Sequence, residues 1–228
     1  MLPAVQYRDG TSRRTAQRRI RNDARATYDE LAEHYDQHLE EECGYRSPAH
    51  VAKHVAALGG QGVWLDLGAG TGLLGEALAR RQVPVQLVGL DVSEAMLQQV
   101  RCTLYVACHR CDVLSTIPGR ERFDGALASG LMEYVVDVPA LMRRVARRLR
   151  PEGHFVFTFS PAEDADVEAF DAESDLHAHD PAHVRSCLQE AGFGDVTMSR
   201  AFRAYCNGEQ GWVRHRIVAA RRLRTRQA

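Results

Sequence analysis

Between Val63 and Gly75 the chain reads Val-Trp-Leu-Asp-Leu-Gly-Ala-Gly-Thr-Gly-Leu-Leu-Gly, an apolar run broken by three alternate glycines. A short buried strand that runs into a glycine turn and then a helix leaves few choices of fold, because such a turn is a ligand platform. Gly68, Gly70 and Gly72 permit backbone angles and close approaches that a side chain would forbid, so a ligand is expected directly on the turn and the following helix N-terminus. Asp66 stands just before the turn. A carboxylate there favours a cationic ligand group and repels a pyrophosphate.

Asp91 lies twenty-one residues beyond Gly70 and closes a second apolar run, Val85 to Leu90. An acidic residue at the end of the second strand of a βαβ unit is placed to accept both hydroxyls of a ribose, which fits any adenosine cofactor. The pattern predicts strands over 62–67, 85–91, about 104–110, 123–129 and 154–160, with helices over 72–81, 93–101 and 137–149 and another opening at Asp180-Pro181. Strands that alternate with helices imply an α/β fold, a mostly parallel sheet with helices on both faces. Two last strands, about 195–204 and 211–219, flank a short glycine-containing connection and read as an antiparallel hairpin.

Upstream of the glycine turn, Ala26, Tyr28, Leu31, Ala32, Tyr35 and Leu39 recur at helical spacing, and a second helix is expected from Ser47 with Pro48 at its first position. Residues 1–22 carry many arginines and few apolar residues, and are expected to form a disordered basic arm ahead of a single domain over 23–228, with cap helices over 23–59. A length of 228 residues and 45% hydrophobic content suit one core. The net charge is −1, so the whole molecule is no polyanion binder, although arginines cluster before Arg25 and after Trp212, and Glu163 to Asp175 is acidic without a base. Six cysteines without a secretory leader, and no apolar run of bilayer length, lead to the expectation of a cytoplasmic protein with free thiols. The C-x-x-C of Cys108-His109-Arg110-Cys111 lacks a second ligand pair, and no metal is expected.

The order Asp-Leu-Gly-Ala-Gly-Thr-Gly departs from the G-x-G-x-x-G of nicotinamide-binding turns and resembles the first motif of class I S-adenosylmethionine-dependent methyltransferases. The resemblance covers roughly residues 50–221 and implies a Rossmann-like seven-stranded sheet closed by the C-terminal hairpin. Carried over by position, it implies Asp66, Gly68 and Ala69 near the methionine end, Gly70 and Gly72 beneath the cofactor, and Asp91 on the ribose. Val92 and Met96 are implied on the adenine, Asp112 at its amino group, and the Val113 amide beside it. Ser129, Gly130 and Glu133 belong to the implied loop that faces the methyl group.

Tyr28 to Asp36 resembles the Tyr-Asp-x-x-Ala-x-x-Tyr-Asp cap of many small-molecule methyltransferases, which places Tyr28 and Tyr35 over the cofactor. Together with His179 to Phe193, the stretch from Tyr28 to Pro48 is similar to predicted methyltransferases sometimes fused to tetratricopeptide repeats, although no repeat occurs here. His177 and His179 fall in the loop after the fifth strand, where either could serve as a base; solvated loop histidines are the other reading. The expected function is methylation of a small-molecule acceptor with release of S-adenosylhomocysteine. RNA or protein methylation, suggested by the arginine clusters, and non-catalytic binding of S-adenosylmethionine to a partner protein are the alternatives.

Overall fold

Alternating apolar side chains on each strand send one set to each face of a sheet, and helices must cover both. The computed structural model describes residues 13–162, 176–206 and 211–224, and shows this arrangement. Five parallel strands, β1 (Gly62–Leu67), β2 (Val85–Asp91), β3 (Tyr105–Arg110), β4 (Phe123–Ala128) and β5 (Leu149–Phe159), are joined by antiparallel β6 (Phe193–Met198), β7 (Phe202–Cys206) and β8 (Trp212–Arg222). Their order is β3-β2-β1-β4-β5-β8-β6, with β7 paired to β8. The order reverses between β1 and β4, which both run next to each other from Trp64 and Gly125 onward. A crevice opens at the carboxyl ends of such a strand pair.

The two faces of β1 show how the cores divide. Trp64 packs with Val51, Val55, Leu74 and Leu78, from α3 (Ser47–Ala57) and α4 (Leu73–Arg80). Leu65 and Leu67 pack on the other side with Leu141, Val145 and Leu188, from α6 (Val138–Arg148) and α7 (Pro181–Glu190). Helix starts follow their caps: the Asp137 carboxylate accepts the Ala140 N–H and the Asp180 carboxylate that of Ala182, each with proline in the first turn. Among the described residues no helix is long and apolar enough to cross a membrane.

Three boundaries differ from the sequence expectation. Helix α1 spans Arg13–Leu31, so residues 13–22, expected in a disordered arm, form the first half of the cap helix; residues 1–12 lie outside the described residues. The cap continues through α2 (Tyr35–Gln37) and a π-helical turn, His38–Glu42. The strand expected over 195–204 is divided into β6 and β7, because Ser199 leaves the ladder: its N–H donates to the Ile217 carbonyl and its hydroxyl accepts the Ile217 N–H. The sheet therefore holds the expected seven-strand path and an eighth strand. β5 begins at Leu149 rather than 154, with the register slipping between Phe123 and Gly125 and Glu152 at φ 72°. The acidic stretch over 163–175 lies outside the described residues.

Candidate active site

The turn after β1 and the end of β2 are built into each other. The Asp91 carboxylate accepts the Gly70 N–H at 2.8 Å on one oxygen and the Ser93 N–H at 2.9 Å on the other. The Ser93 hydroxyl accepts the Met96 N–H at 3.1 Å and so caps α5 (Glu94–Gln98). Burial lifts the Asp91 pKa from its usual range, against the amides of Ser93 and Gly70. Gly68 and Gly70 sit at φ 73° and 54°, and a Cβ on either would point toward Leu131 or Met96 at 3.4 Å, into the crevice. Glycine keeps that floor flat and open. Gly72 behaves differently: it is the left-handed residue ahead of α4, and a Cβ there would meet Tyr105 and Val100, on the β3 side, so it shapes the turn without lining the crevice.

Two cavities occupy the crevice. The smaller, about 100 Å³, has Asp91, Val92 and Met96 on one side and Asp112, Val113 and Arg21 on another. Asp112 holds the Arg21 guanidinium at 3.0 Å, and also accepts from the Leu114 N–H and the Ser115 hydroxyl. The larger, about 610 Å³, extends from Asp66, Ala69 and Thr71 to Glu133, Tyr205 and His215. Tyr28, Tyr35, Gly68, Gly70, Ser129 and Gly130 border both, so the two meet above the glycine turn. Its size is in the range of small-molecule sites.

Asp66 is 1% exposed and accepts a hydrogen bond from the Tyr105 hydroxyl at 2.5 Å. Burial, offset in part by that hydrogen bond, pushes its pKa up to about 7. The cap closes over this floor. Residues Ile20, Asp23, Ala24, Thr27, Tyr28 and Leu31, one helical face, line the larger cavity, whereas Ala26, expected on that face, is exposed. Tyr28 and Tyr134 share a hydroxyl contact at 2.7 Å, the Ser93 hydroxyl donates to Asp29 at 2.5 Å, and the Thr71 hydroxyl donates to Asp36. Tyr35 stands edge-on to Tyr28 with ring centres 5.6 Å apart. Burial raises the pKa of both phenols well above the ordinary value.

Beyond Tyr134 the cavity ends in a buried polar group. Glu133 is 4% exposed and accepts the Ser160 hydroxyl at 3.1 Å, and its Oε1 lies 3.2 Å from His215 Nε2, an ion-pair distance without hydrogen-bond alignment. Burial alone would raise the Glu133 pKa; the neighbouring His215, the residue's own backbone N–H and His179 together outweigh it and hold the carboxyl below its usual range. On its other side His215 Nδ1 is 2.9 Å from the Ser47 hydroxyl. Tyr45, whose hydroxyl is 2.8 Å from Ser129, and Tyr205 complete this end, with ring centres 6.1 Å apart.

His177 and His179 are not brought to this wall. The ring of His179 is 8% exposed with Nε2 2.7 Å from the Met132 carbonyl oxygen, while its backbone bonds to Ser160 and Ala162. Burial lowers its pKa, so it reads as a latch that fixes the chain beside β5. The His177 N–H donates to the Glu133 carbonyl. The half-buried Cys108 and Cys111 lie on and just after β3, and no cluster of metal-ligating groups exists among the described residues.

Tyr105, Ser47 and His215 carry no motif. His215 had a signal nonetheless: Val213, His215 and Ile217 alternate with Arg214 and Arg216 on β8, which puts a histidine on the inward face of a strand. Nothing in the sequence pairs it with Glu133.

A methyltransferase-domain family model matches residues 27–206. The chain belongs to that family, within the class I S-adenosylmethionine-dependent methyltransferases. This methyltransferase domain is 38% identical over 103 residues to the ubiquinone biosynthesis O-methyltransferase of Bradyrhizobium diazoefficiens, 43% of this chain and 40% of that protein. The chain thus spans about two-fifths of the length of the curated relatives it matches. Its fold is like that of an S-adenosylmethionine-dependent methyltransferase from Thermotoga maritima, at TM-score 0.65 and 14% identity over 86% of this chain and 98% of the other. It is also like Haemonchus contortus phosphoethanolamine N-methyltransferase 2 in complex with phosphomonomethylethanolamine and S-adenosylhomocysteine, at TM-score 0.61 and 14% identity over 77% and 53%.

Proposed function

We propose that this methyltransferase domain methylates a small molecule held in the larger cavity, with the nucleoside of S-adenosylmethionine in the smaller one. The observation that carries this is the meeting of the two cavities over Gly68, Gly70, Ser129 and Gly130, with different chemistry at their far ends. The residues present suit that cosubstrate: the Asp91 carboxylate borders a slot walled by Val92 and Met96, and a second, buried carboxylate, Asp66, stands on the other side of the turn. When bound, S-adenosylmethionine supplies an electrophilic methyl on a sulfonium, which leaves with the carbon–sulfur bonding pair retained by sulfur.

What the chain itself does is mostly orientation and exclusion of water. Asp91 takes the ribose hydroxyls while it continues to anchor the turn, and Asp66 takes the amino group of the methionine end. Asp112 offers the acceptor oxygen for the adenine amino group once Arg21 yields it. Arg21, one of the arginines that suggested a nucleic-acid surface, is turned inward to this carboxylate. The cap tyrosines cover the junction and keep water from the reacting carbon.

Calorimetry with S-adenosylhomocysteine, S-adenosylmethionine and NAD tests the reading, followed by transfer of labelled methyl to a small-molecule extract fraction. The two adenosyl ligands are expected to bind and NAD to leave no signal. Binding of NAD without a response to S-adenosylhomocysteine overturns it, as does label that appears only in RNA or protein.

A further inference from the structure

The acceptor end of the larger cavity has a charge and a shape that select among small molecules. Asp23, Asp66 and Glu133 line this cavity, and among the described residues no arginine or lysine does, in a chain with 29 basic residues. Its histidines are His38 at the rim and His215 at the base. Glu133 is 4% exposed, and its second carboxylate oxygen, Oε2, is fully buried with no hydrogen-bond partner among the described residues. A buried carboxylate oxygen left without a donor is costly, so a ligand that brings one to it gains accordingly. Tyr45, Tyr134 and Tyr205 line the same cavity as Glu133, Tyr45 edge-on to Tyr205, and aromatic rings attract a cation.

We infer that the methyl acceptor is a small amine, whose ammonium group is received by Glu133 between Tyr45, Tyr134 and Tyr205, with His215 as a positioning residue behind the carboxylate. This rests on the assignment of the larger cavity as the acceptor site. A carboxylate or phosphate ligand would face Asp23 and Glu133, with no arginine or lysine among the described residues that line the cavity, which disfavours anionic acceptors. An alcohol or phenol could give one hydrogen bond to Oε2 but brings no positive charge to it.

The reaction balances with the groups named. The bound ammonium loses one proton to solvent water before the cap closes, which leaves a nitrogen lone pair. The nitrogen–carbon bond then forms as the carbon–sulfur bond breaks, and the sulfur keeps that bonding pair. The product is a methylated ammonium, again paired with the ionised Glu133, and a neutral thioether. His215, fixed from behind by Ser47, holds Glu133 in line for the acceptor.

The test uses the full chain saturated with S-adenosylhomocysteine and matched probes on propyl, phenylethyl and indolylethyl skeletons, each as amine, alcohol and carboxylate, with 4-ethylphenol as a phenol. Titration calorimetry is expected to show, for at least one skeleton, the amine bound at least tenfold tighter than its alcohol, and no carboxylate bound. Glu133→Gln is expected to bring that amine down to the level of the alcohol, while S-adenosylhomocysteine affinity stays within about twofold. Equal binding of alcohol or phenol and amine on every skeleton, binding of a carboxylate, or no amine bound at all each overturns the inference. So does an amine preference that survives Glu133→Gln. If that variant does not fold, the wild-type series decides alone. Loss of S-adenosylhomocysteine binding would instead strike the assignment of the site.

Discussion

Two carboxylates, the partly buried Asp91 and the buried Asp66, differ in what surrounds them, and the difference sets what each substitution should do. Asp91 already holds two backbone N–H groups, so Asp91→Ala removes a ligand contact and also leaves the Gly70 and Ser93 amides without their acceptor. Cofactor affinity should fall by about 1.5–3 kcal/mol per charge-assisted bond, tenfold or more, and the ligand-free protein should itself lose about 1–3 kcal/mol. Calorimetry and thermal melts check both; unchanged affinity in a folded variant removes Asp91 from the site. Among the described residues Asp66 has only the Tyr105 hydroxyl, and its folded pKa of about 7 lies above that of an unfolded aspartate. The folded state therefore binds the extra proton, so this residue makes the free protein less stable as pH rises from about 4 to about 7, and has no further effect above. A cationic amino group beside it keeps it ionised. Cofactor binding below pH 7 should then release a proton and tighten by up to about tenfold per pH unit as pH rises, levelling above about 7. Calorimetry in two buffers of different ionisation enthalpy reads the proton directly, and Asp66→Asn should abolish it; no proton released at pH 6.5 would remove the amino group from Asp66.

At the scale of elements, α1 and α2 decide access. They are held to the floor by side chains rather than by a core: Arg21 on Asp112, Tyr28 on Tyr134, Asp29 on Ser93 and Asp36 on Thr71. Polar contacts of this kind are individually weak, and an element they hold opens at lower free energy than the sheet. Amides from Tyr28 to Asp36 are expected to exchange faster than those of β1 and β4 in the free protein and to gain protection when S-adenosylhomocysteine is added. Arg21→Ala should speed exchange in the free protein yet leave ligand affinity equal or higher, because the guanidinium and an adenine amino group compete for Asp112. Cap amides equally protected with and without ligand would make α1 plain scaffold, and a large loss of affinity in Arg21→Ala would make Arg21 a ligand contact.

The whole molecule is held by the contact of two helix-covered cores through one sheet, and it is tightly packed where β1 meets β4. A Cβ on Gly125 would come within 2.3 Å of the Trp64 ring, which is 2% exposed and anchors α3 and α4 to the sheet. Gly125→Ala must push that ring or the strand aside, and should cost about 1–3 kcal/mol of stability. Because β4 leads into Ser129 and Gly130, cofactor affinity should fall with it. Denaturant unfolding with and without S-adenosylhomocysteine measures both, and an unchanged midpoint would show that Trp64 has room to move.

The sequence by itself determined the sheet, its parallel half and the glycine floor, because strand period, helix caps and turn chemistry act over a few residues and are written locally. Asp66, Gly68, Gly70 and Asp91 were legible for the same reason, as ends of strands and a turn. Only the tertiary structure decided what faces the cleft. Gly72 has the same spacing as its neighbours but turns toward Tyr105, and His179, in a loop by pattern, is buried against Met132. Ser47 reads as a helix start, yet its hydroxyl meets His215 across 168 residues of chain. That meeting depends on β8 lying antiparallel to β5 in one register, and on α3 docking over the sheet. No local periodicity encodes such a register; it is set by the packing of side chains from distant segments, and the Glu133–His215 end of the cavity is made of nothing else.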